Sequence, residues 1–399
     1  MVVLGALGAL GLGWLWLPLS SGYVTPAAKA TSPGVGPSHS CLSTASVAVL
    51  ARSGAEPTVV PSSLTEFQIF SKKREESKAG KAVLDLRPIA DFCRGHLVGS
   101  TSMPADELER RKLELPTPSA TQPLTLVGNE EELRQARDLL TKNQQWLIGA
   151  EISASDLLHT SDLAWPTEVG SRSIQAWRAN EFLEFCTERY LLPQVAAGGI
   201  DCGSTVLDLG CGCGRDAVYL AQQLPPGTRV IGIDSHSGAL DRAAKLSERW
   251  LNVPYGGGND AGVAGMGIAS LGSSDTNVRR GCDWLATDLR KEGSLDGLHA
   301  SVVHGHRFLS MQALPWIRDE VLLPGGYFMW STYMNTATRN PVPPWRPSRM
   351  TRPGELAEFF SGDDFEIIIN EQGELHTRGC DVAAIFFLCR KKAGAKPLL

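Results

Sequence analysis

The stretch STVLDLGCGCGRDAVYLAQQL at residues 204–224 constrains the fold more than any other part of the chain. A strand pattern ends on an acid, Asp208, and three glycines, Gly210, Gly212 and Gly214, then occupy every second position before a helix pattern. Such a turn carries the backbone from strand to helix within a few residues, and the missing Cβ atoms let a ligand approach the main chain. A dinucleotide-binding turn would put its third glycine at position 215, which is Arg215; the glycine stands one residue earlier, at Gly214. The pattern is acid-x-G-x-G-x-G.

Strand and helix patterns alternate from there on, as in an α/β protein with a mostly parallel sheet. TRVIGID is the next strand and GALDRAAKLSERWL its helix, and CDWLATDL, ASVVHGH, GGYFMWSTY, FEIIIN and VAAIFFLCR follow as strands. A glycine-rich run, 252–280, interrupts the order and is expected to be an insertion. A helix is expected over SIQAWRANEFLEFCTERYLLP, ahead of the glycine turn.

These motifs resemble the class I S-adenosylmethionine-dependent methyltransferases. The resemblance rests on the turn after Asp208, on VIGID ending at Asp234, on DWLATDL with Asp288, and on LLPGGYFMWSTY, in that order. It implies a Rossmann-like fold with a mostly parallel seven-stranded sheet over residues 171–393, and S-adenosylmethionine as methyl donor. Asp208 would organise the turn near the methionine amine, and Gly210, Gly212 and Gly214 would let the backbone approach the donor. Asp234, with Ser235 beside it, would take the ribose hydroxyls. Asp288 would hold the adenine amine, with Trp284 or Leu289 covering the ring.

Methyl transfer from a sulfonium is an in-line displacement on an activated donor, so alignment is the main requirement. A general base is needed only for a protonated acceptor. Acceptor chemistry is expected after the fourth strand of the sheet, in VVHGHRFLSMQALP. There His304 and His306 alternate around Gly305; His306 is a candidate base and Arg307 a candidate anion binder. The longer string HRFLSMQALPWIRDEVLLPGGYFMWSTY, with RPGEL at 352–356, resembles small-molecule methyltransferases of the tellurite-resistance and thiopurine type. That resemblance implies a small-molecule acceptor without naming it.

VLDL also occurs at 83–86, followed by RPIADFCRGHLVGSTSMPADELERR. Nothing downstream of the two copies matches, so the chain is not an internal duplication. Residues 64–150 read as a separate α/β unit, and 151–170 as a linker. The elements around Asp85-Leu86-Arg87, Phe92, Gly95-His96, Gly99-Ser100 and Met103-Pro104 resemble a rhodanese-like, three-layer domain. Active members carry a cysteine after the next buried strand; here PLTLV is followed by Gly128, Asn129 and three glutamates. The resemblance therefore implies an inactive module that packs on its neighbour or binds a protein partner. Cys93 lies one segment too early to be the nucleophile. A sulfurtransferase, or a non-enzymatic scaffold that binds S-adenosylmethionine, are the alternatives.

Composition narrows the classes. The formal charge is -5, which makes nucleic acid an unlikely substrate. Nine scattered cysteines with no C-x-x-C pair suit reduced thiols in a cytoplasmic or organellar setting and give no support to a zinc site. Residues 1–20 form an uncharged apolar run that reads as a targeting sequence, a membrane anchor or neither, and a linker rich in Ser, Ala, Pro and Gly extends to residue 63.

Overall fold

Period-2 patterning on one sheet with two covered faces decides the architecture. The computed structural model describes residues 64–77, 82–118, 122–142, 146–158, 166–251, 280–336, 350–377 and 380–394. The apolar run 1–20, the linker to 63 and nearly all of the glycine-rich insertion lie outside these residues. Among the described residues no helix is long and apolar enough to cross a membrane.

The first unit contains β1 (Val83–Asp85), β2 (His96–Leu97), β3 (Ser100–Ser102), β4 (Leu124–Gly128), β5 (Ile148–Ser153) and β6 (Thr167–Glu168). A four-stranded sheet in the order β3-β1-β4-β5 is parallel throughout. Leu84, Leu126 and Leu140 are wholly buried in its core. Within the run 151–170, expected as a linker, the described residues carry regular structure: β5 extends to Ser153, a helix spans Ala154–Leu158, and β6 pairs with β2.

The second unit contains β7 (Thr205–Leu209), β8 (Arg229–Asp234), β9 (Cys282–Ala286), β10 (Ala300–His306), β11 (Leu322–Tyr333), β12 (Phe365–Thr377) and β13 (Cys380–Lys391). They form one seven-stranded sheet in the order β12-β13-β11-β10-β7-β8-β9, in which only β13 runs against its neighbours. The strand order reverses between β7 and β10, and the crevice at the carboxyl ends there is where an open α/β sheet takes its ligand. Leu207, Ile231, Val303, Phe328 and Trp330 fill one face, and Val206, Val302, Tyr327 and Met329 the other.

Two helices differ from expectation. The helix Glu66–Ser77 precedes the first unit in sequence but packs on the second. Phe67 lies 5.2 Å from Phe182 and 4.7 Å from Phe386, ring centre to ring centre. Arg74 is buried and donates to Glu184 at 2.6 Å. Phe67→Ala is therefore expected to cost the unit of the seven-stranded sheet about 3–5 kcal/mol, read as a lower thermal midpoint. The helix expected from residue 173 begins only at Glu181, capped by Asn180, whose side chain accepts from the Leu183 amide. Residues 172–180 stay extended because their hydrogen bonds go to β3: the Ile174 amide donates to the Ser100 carbonyl, and Ser173 Oγ accepts from the Ser102 amide.

Candidate active site

The glycine turn sits at the strand-order reversal. Gly210, Gly212 and Gly214 all have left-handed backbones, with φ of 72°, 55° and 79°. Their surroundings differ. A Cβ on Gly210 would lie 2.6 Å from the Phe308 ring, and one on Gly214 would lie 2.6 Å from Trp284 and 2.7 Å from Ala243. At Gly212 a Cβ would meet nothing within 4 Å. Packing on the protein thus requires the outer two glycines, whereas the middle one borders open space.

The amides of Gly210 and Cys211 donate to the Ile233 carbonyl, tying the turn to the end of β8. Asp234 closes the arrangement: Oδ2 accepts from the Gly212 amide at 3.0 Å and Oδ1 from the His236 amide at 2.9 Å. Ser235 is exposed beside it. Asp288 lies after β9, gripped by Arg290 at 2.8 Å through both oxygens, which holds its carboxyl down to about 2.

Trp284 is not placed to cover a ring at this edge. Its indole packs beneath the turn against Gly214 and Gly232, in a cluster with Trp177, Val218 and Leu246. A tryptophan in β9 fits there because glycine stands opposite it in β8, Gly232 being its register partner. Leu289 is buried with Leu207 and Ile231, and lines a cavity of about 160 Å³ with Leu295, Gln312 and Trp316.

A polar cluster occupies the carboxyl ends of the central strands, and strand register explains it. Val206, Val302 and Tyr327 form one apolar row across β7, β10 and β11. Two residues further along the same face the row becomes Asp208, His304 and Met329; two further still, His306 pairs with Ser331. The side chains change from apolar to ionisable as the strands approach the crevice.

His304 is wholly buried, and its Nε2 lies 3.1 Å from Asp216 Oδ2, on the helix Arg215–Gln223 that follows the glycines. Asp216 Oδ1 accepts from the Asn180 amide at 2.8 Å. Asp208 is 2% exposed, and its Oδ2 and His304 Nδ1 lack hydrogen-bond partners. Burial, reinforced by Asp216, pushes the Asp208 carboxyl up to about 7, although His304 opposes the rise. Burial also disfavours the Asp216 anion, but the His304 hydrogen bond and the nearby imidazoles win and hold it at about 2. For His304 burial acts downward, but the bond to Asp216 and the two carboxylates leave it raised.

His306 is half-buried. Its Nδ1 lies 2.8 Å from Asn180 Nδ2 and 2.8 Å from Ser331 Oγ. Burial, with the positive charge of Arg307 and His304, pushes its imidazole down to about 3, so the ring is neutral at physiological pH. Arg307 is exposed and is the one non-glycine residue with positive φ among the described residues, at 54°. Its amide donates to the Ser331 carbonyl at 2.8 Å, which anchors a conformation that L-residues seldom adopt. Asn180, Asp216 and Ser331 belong to this cluster and carry no sequence motif. Asp216 had one available signal, since it directly follows the glycine turn.

Residues 206–258 match the family model described as a methyltransferase domain. The chain is an enzyme of that kind. Solved structures are similar to part of the chain. TehB from Haemophilus influenzae is 20% identical over 53% of this chain and 67% of its own, with a TM-score of 0.35. A protein of Methanosarcina mazei, described as a SAM-dependent methyltransferase, is 16% identical over 50% of this chain and 97% of its own, at a TM-score of 0.34. The magnesium protoporphyrin IX methyltransferase of Synechocystis PCC 6803, solved with bound SAM, is 14% identical over 53% of this chain and 81% of its own, at 0.32. Likenesses of this size carry no argument about the acceptor. No curated protein matches the chain.

Proposed function

We propose that the chain transfers a methyl group from S-adenosylmethionine to a small-molecule acceptor bound beside His306 and Arg307. The observation that carries this reading is the turn itself: a left-handed Gly212 with open space at its Cβ position, opposite Asp234 and above the buried Asp208. That arrangement leaves main chain and two carboxylates to a cationic nucleoside. Asp208 faces the methionine amine, Asp234 the ribose hydroxyls, and Asp288 and Leu289 the adenine. The donor is a sulfonium, so its methyl carbon needs only an aligned nucleophile, and alignment can supply about 7–11 kcal/mol of a barrier.

On the acceptor side, His306 ends β10 and Arg307 follows it, and Asn180 and Ser331 fix the imidazole. The neutral ring can exchange hydrogen bonds with an acceptor without carrying charge, and Arg307 supplies a cation for an anionic one. This suits the small-molecule, tellurite-resistance or thiopurine-like group that the sequence resembles. Incubation with labelled donor and a cell extract is expected to move label into small molecules rather than protein or RNA. His306→Ala is expected to lower turnover at least tenfold. The rate of the native enzyme should lack a step near pH 6.5, since His306 titrates far below it. Label entering only macromolecules would overturn the acceptor class.

The first unit we read as rhodanese-like and without sulfurtransferase chemistry. What supports this is Gly128–Asn129, where the nucleophile loop would lie. Asn129 caps the helix Glu130–Thr141, and Glu132 Oε2 accepts from the Asn129 amide at 2.8 Å. The protein's own carboxylate occupies an amide that would otherwise face an anionic sulfur donor. The unit is a candidate surface for a protein partner.

A further inference from the structure

We propose that the first α/β unit is a working part of the methyl-donor site, with Arg215 as the positioning residue that joins them; this rests on the donor reading above. Arg215 is the first residue of the helix after the glycine turn, directly following the left-handed Gly214. Its guanidinium reaches across to the first unit. Nη2 donates to the carbonyl of Leu115 at 3.0 Å and to that of Leu113.

Between those two carbonyls lies Glu114, a buried carboxylate with its own partners on both units. It accepts from Arg111 within the first unit, at 2.9 and 3.2 Å. From the second it accepts from Arg249 Nη2 at 2.7 Å and Trp250 Nε1 at 3.3 Å, at the end of the helix Ser237–Leu251. The loop 113–115 is therefore held against both helices that follow β7 and β8, the two strands whose ends carry Asp208 and Asp234.

A second tether runs along residues 173–180. Ser173 and Ile174 bond to β3, Gln175 accepts from Gln222 at 3.1 Å, and Trp177 is buried against Val218. The strap then delivers the Asn180 amide to Asp216. Residues 215 and 216 are thus each fixed by a segment anchored in the first unit. A flexible appendage would need neither buried ion pairs nor a strap, whereas a donor turn gains affinity when its backbone is preorganised.

The test uses the full chain and S-adenosylhomocysteine titrated by calorimetry at low temperature. Arg215→Ala is expected to weaken binding at least tenfold, with turnover at saturating donor and the KM for acceptor little changed. Arg215→Lys, which can still donate to a carbonyl, should recover most of the loss. Glu114→Gln should shift the same constant about threefold and covers the case in which Arg215→Ala does not fold. Val127→Ala is the control: it opens a cavity in a separate cluster of the first unit, with Val83, Leu97 and Leu157 rather than Leu115, and should lower the thermal midpoint while leaving donor affinity within about twofold. Native-like affinity in both Arg215→Ala and Glu114→Gln would overturn the proposal, as would an equal loss in Val127→Ala. No binding by the native chain would overturn the donor assignment itself.

Discussion

Asp208→Asn is expected to make the protein more stable at pH 8 while abolishing donor binding. Asp208, His304 and Asp216 together bury two carboxyl groups beside one imidazole, so ionised Asp208 adds a second buried negative charge next to that of Asp216. The folded carboxyl holds its proton up to about 7, whereas an unfolded aspartate releases it near 4. The native state therefore binds the extra proton between those limits, and stability falls as pH rises through that window. Asp216 has the opposite sign. Its depressed value adds stability above pH 4 that is lost as pH falls towards 2.

An amide at 208 removes the surplus charge and leaves the His304–Asp216 pair intact. At pH 8 the gain is on the order of 2 kcal/mol, a few degrees in thermal midpoint; near pH 4, where native Asp208 is already protonated, it should vanish. Donor affinity should fall at least a hundredfold at pH 8, because the carboxylate proposed to face the methionine amine is gone. An equal or lower midpoint at pH 8 would show that Asp208 is not a stability cost. A higher midpoint would mark the buried acid as strain retained for binding, of the kind expected where local rules are broken at a site.

Alanine at Gly212 and alanine at Gly210 should separate binding from folding. At Gly210 a methyl group would sit within 2.8 Å of three Phe308 atoms, on a left-handed backbone. Overpacking and backbone strain together cost about 2–5 kcal/mol, and Phe308 must move. Gly210→Ala should therefore fold poorly. Gly212→Ala meets no protein atom within 4 Å, and φ of 55° lies within the small left-handed region open to L-residues. Its midpoint should drop by only a few degrees, yet donor affinity should fall at least tenfold, because the methyl occupies the space on which the turn opens. Differential scanning calorimetry and donor titration of the two variants check this. Retained affinity in Gly212→Ala would show that the donor approaches elsewhere.

The large sheet was legible in the sequence because its strands are short buried runs punctuated by glycine and proline, and every strand expected after residue 204 is present. In the first sheet only β1 and β4 were legible; β3, three residues long, read as a turn, and β5 runs into the stretch expected as a linker. Less visible was where the segments between them go. Helix Glu66–Ser77 has a weak amphipathic pattern, and only the aromatic contacts of Phe67 decide which core it joins. Residues 172–180 have enough helix formers to suggest a helix, but hydrogen bonds to the edge of β3 hold them extended, a tertiary override of local preference. Trp284 suggested a ring cover from its place in the motif. The side-chain alternation of β9, and the groove left by Gly232, turned it inward instead.

Sequence alone determined the donor-side residues Asp208, Gly210, Gly212, Gly214, Asp234 and Asp288 as candidates, because a tight strand-to-helix turn and strand-end acids are local features with a fixed spacing. It also marked His306 and Arg307, which are neighbours in one strand end. Only the tertiary structure joined Asn180, Asp216, His304 and Ser331 to them. Those contacts span up to 151 residues of chain and arise from strand register and helix docking, which no local pattern encodes. The meeting of Arg215 with Leu113 and Leu115 is of the same kind: a side chain on one unit reaching main-chain carbonyls on another, where the identity of the acceptor residues leaves no trace in the sequence.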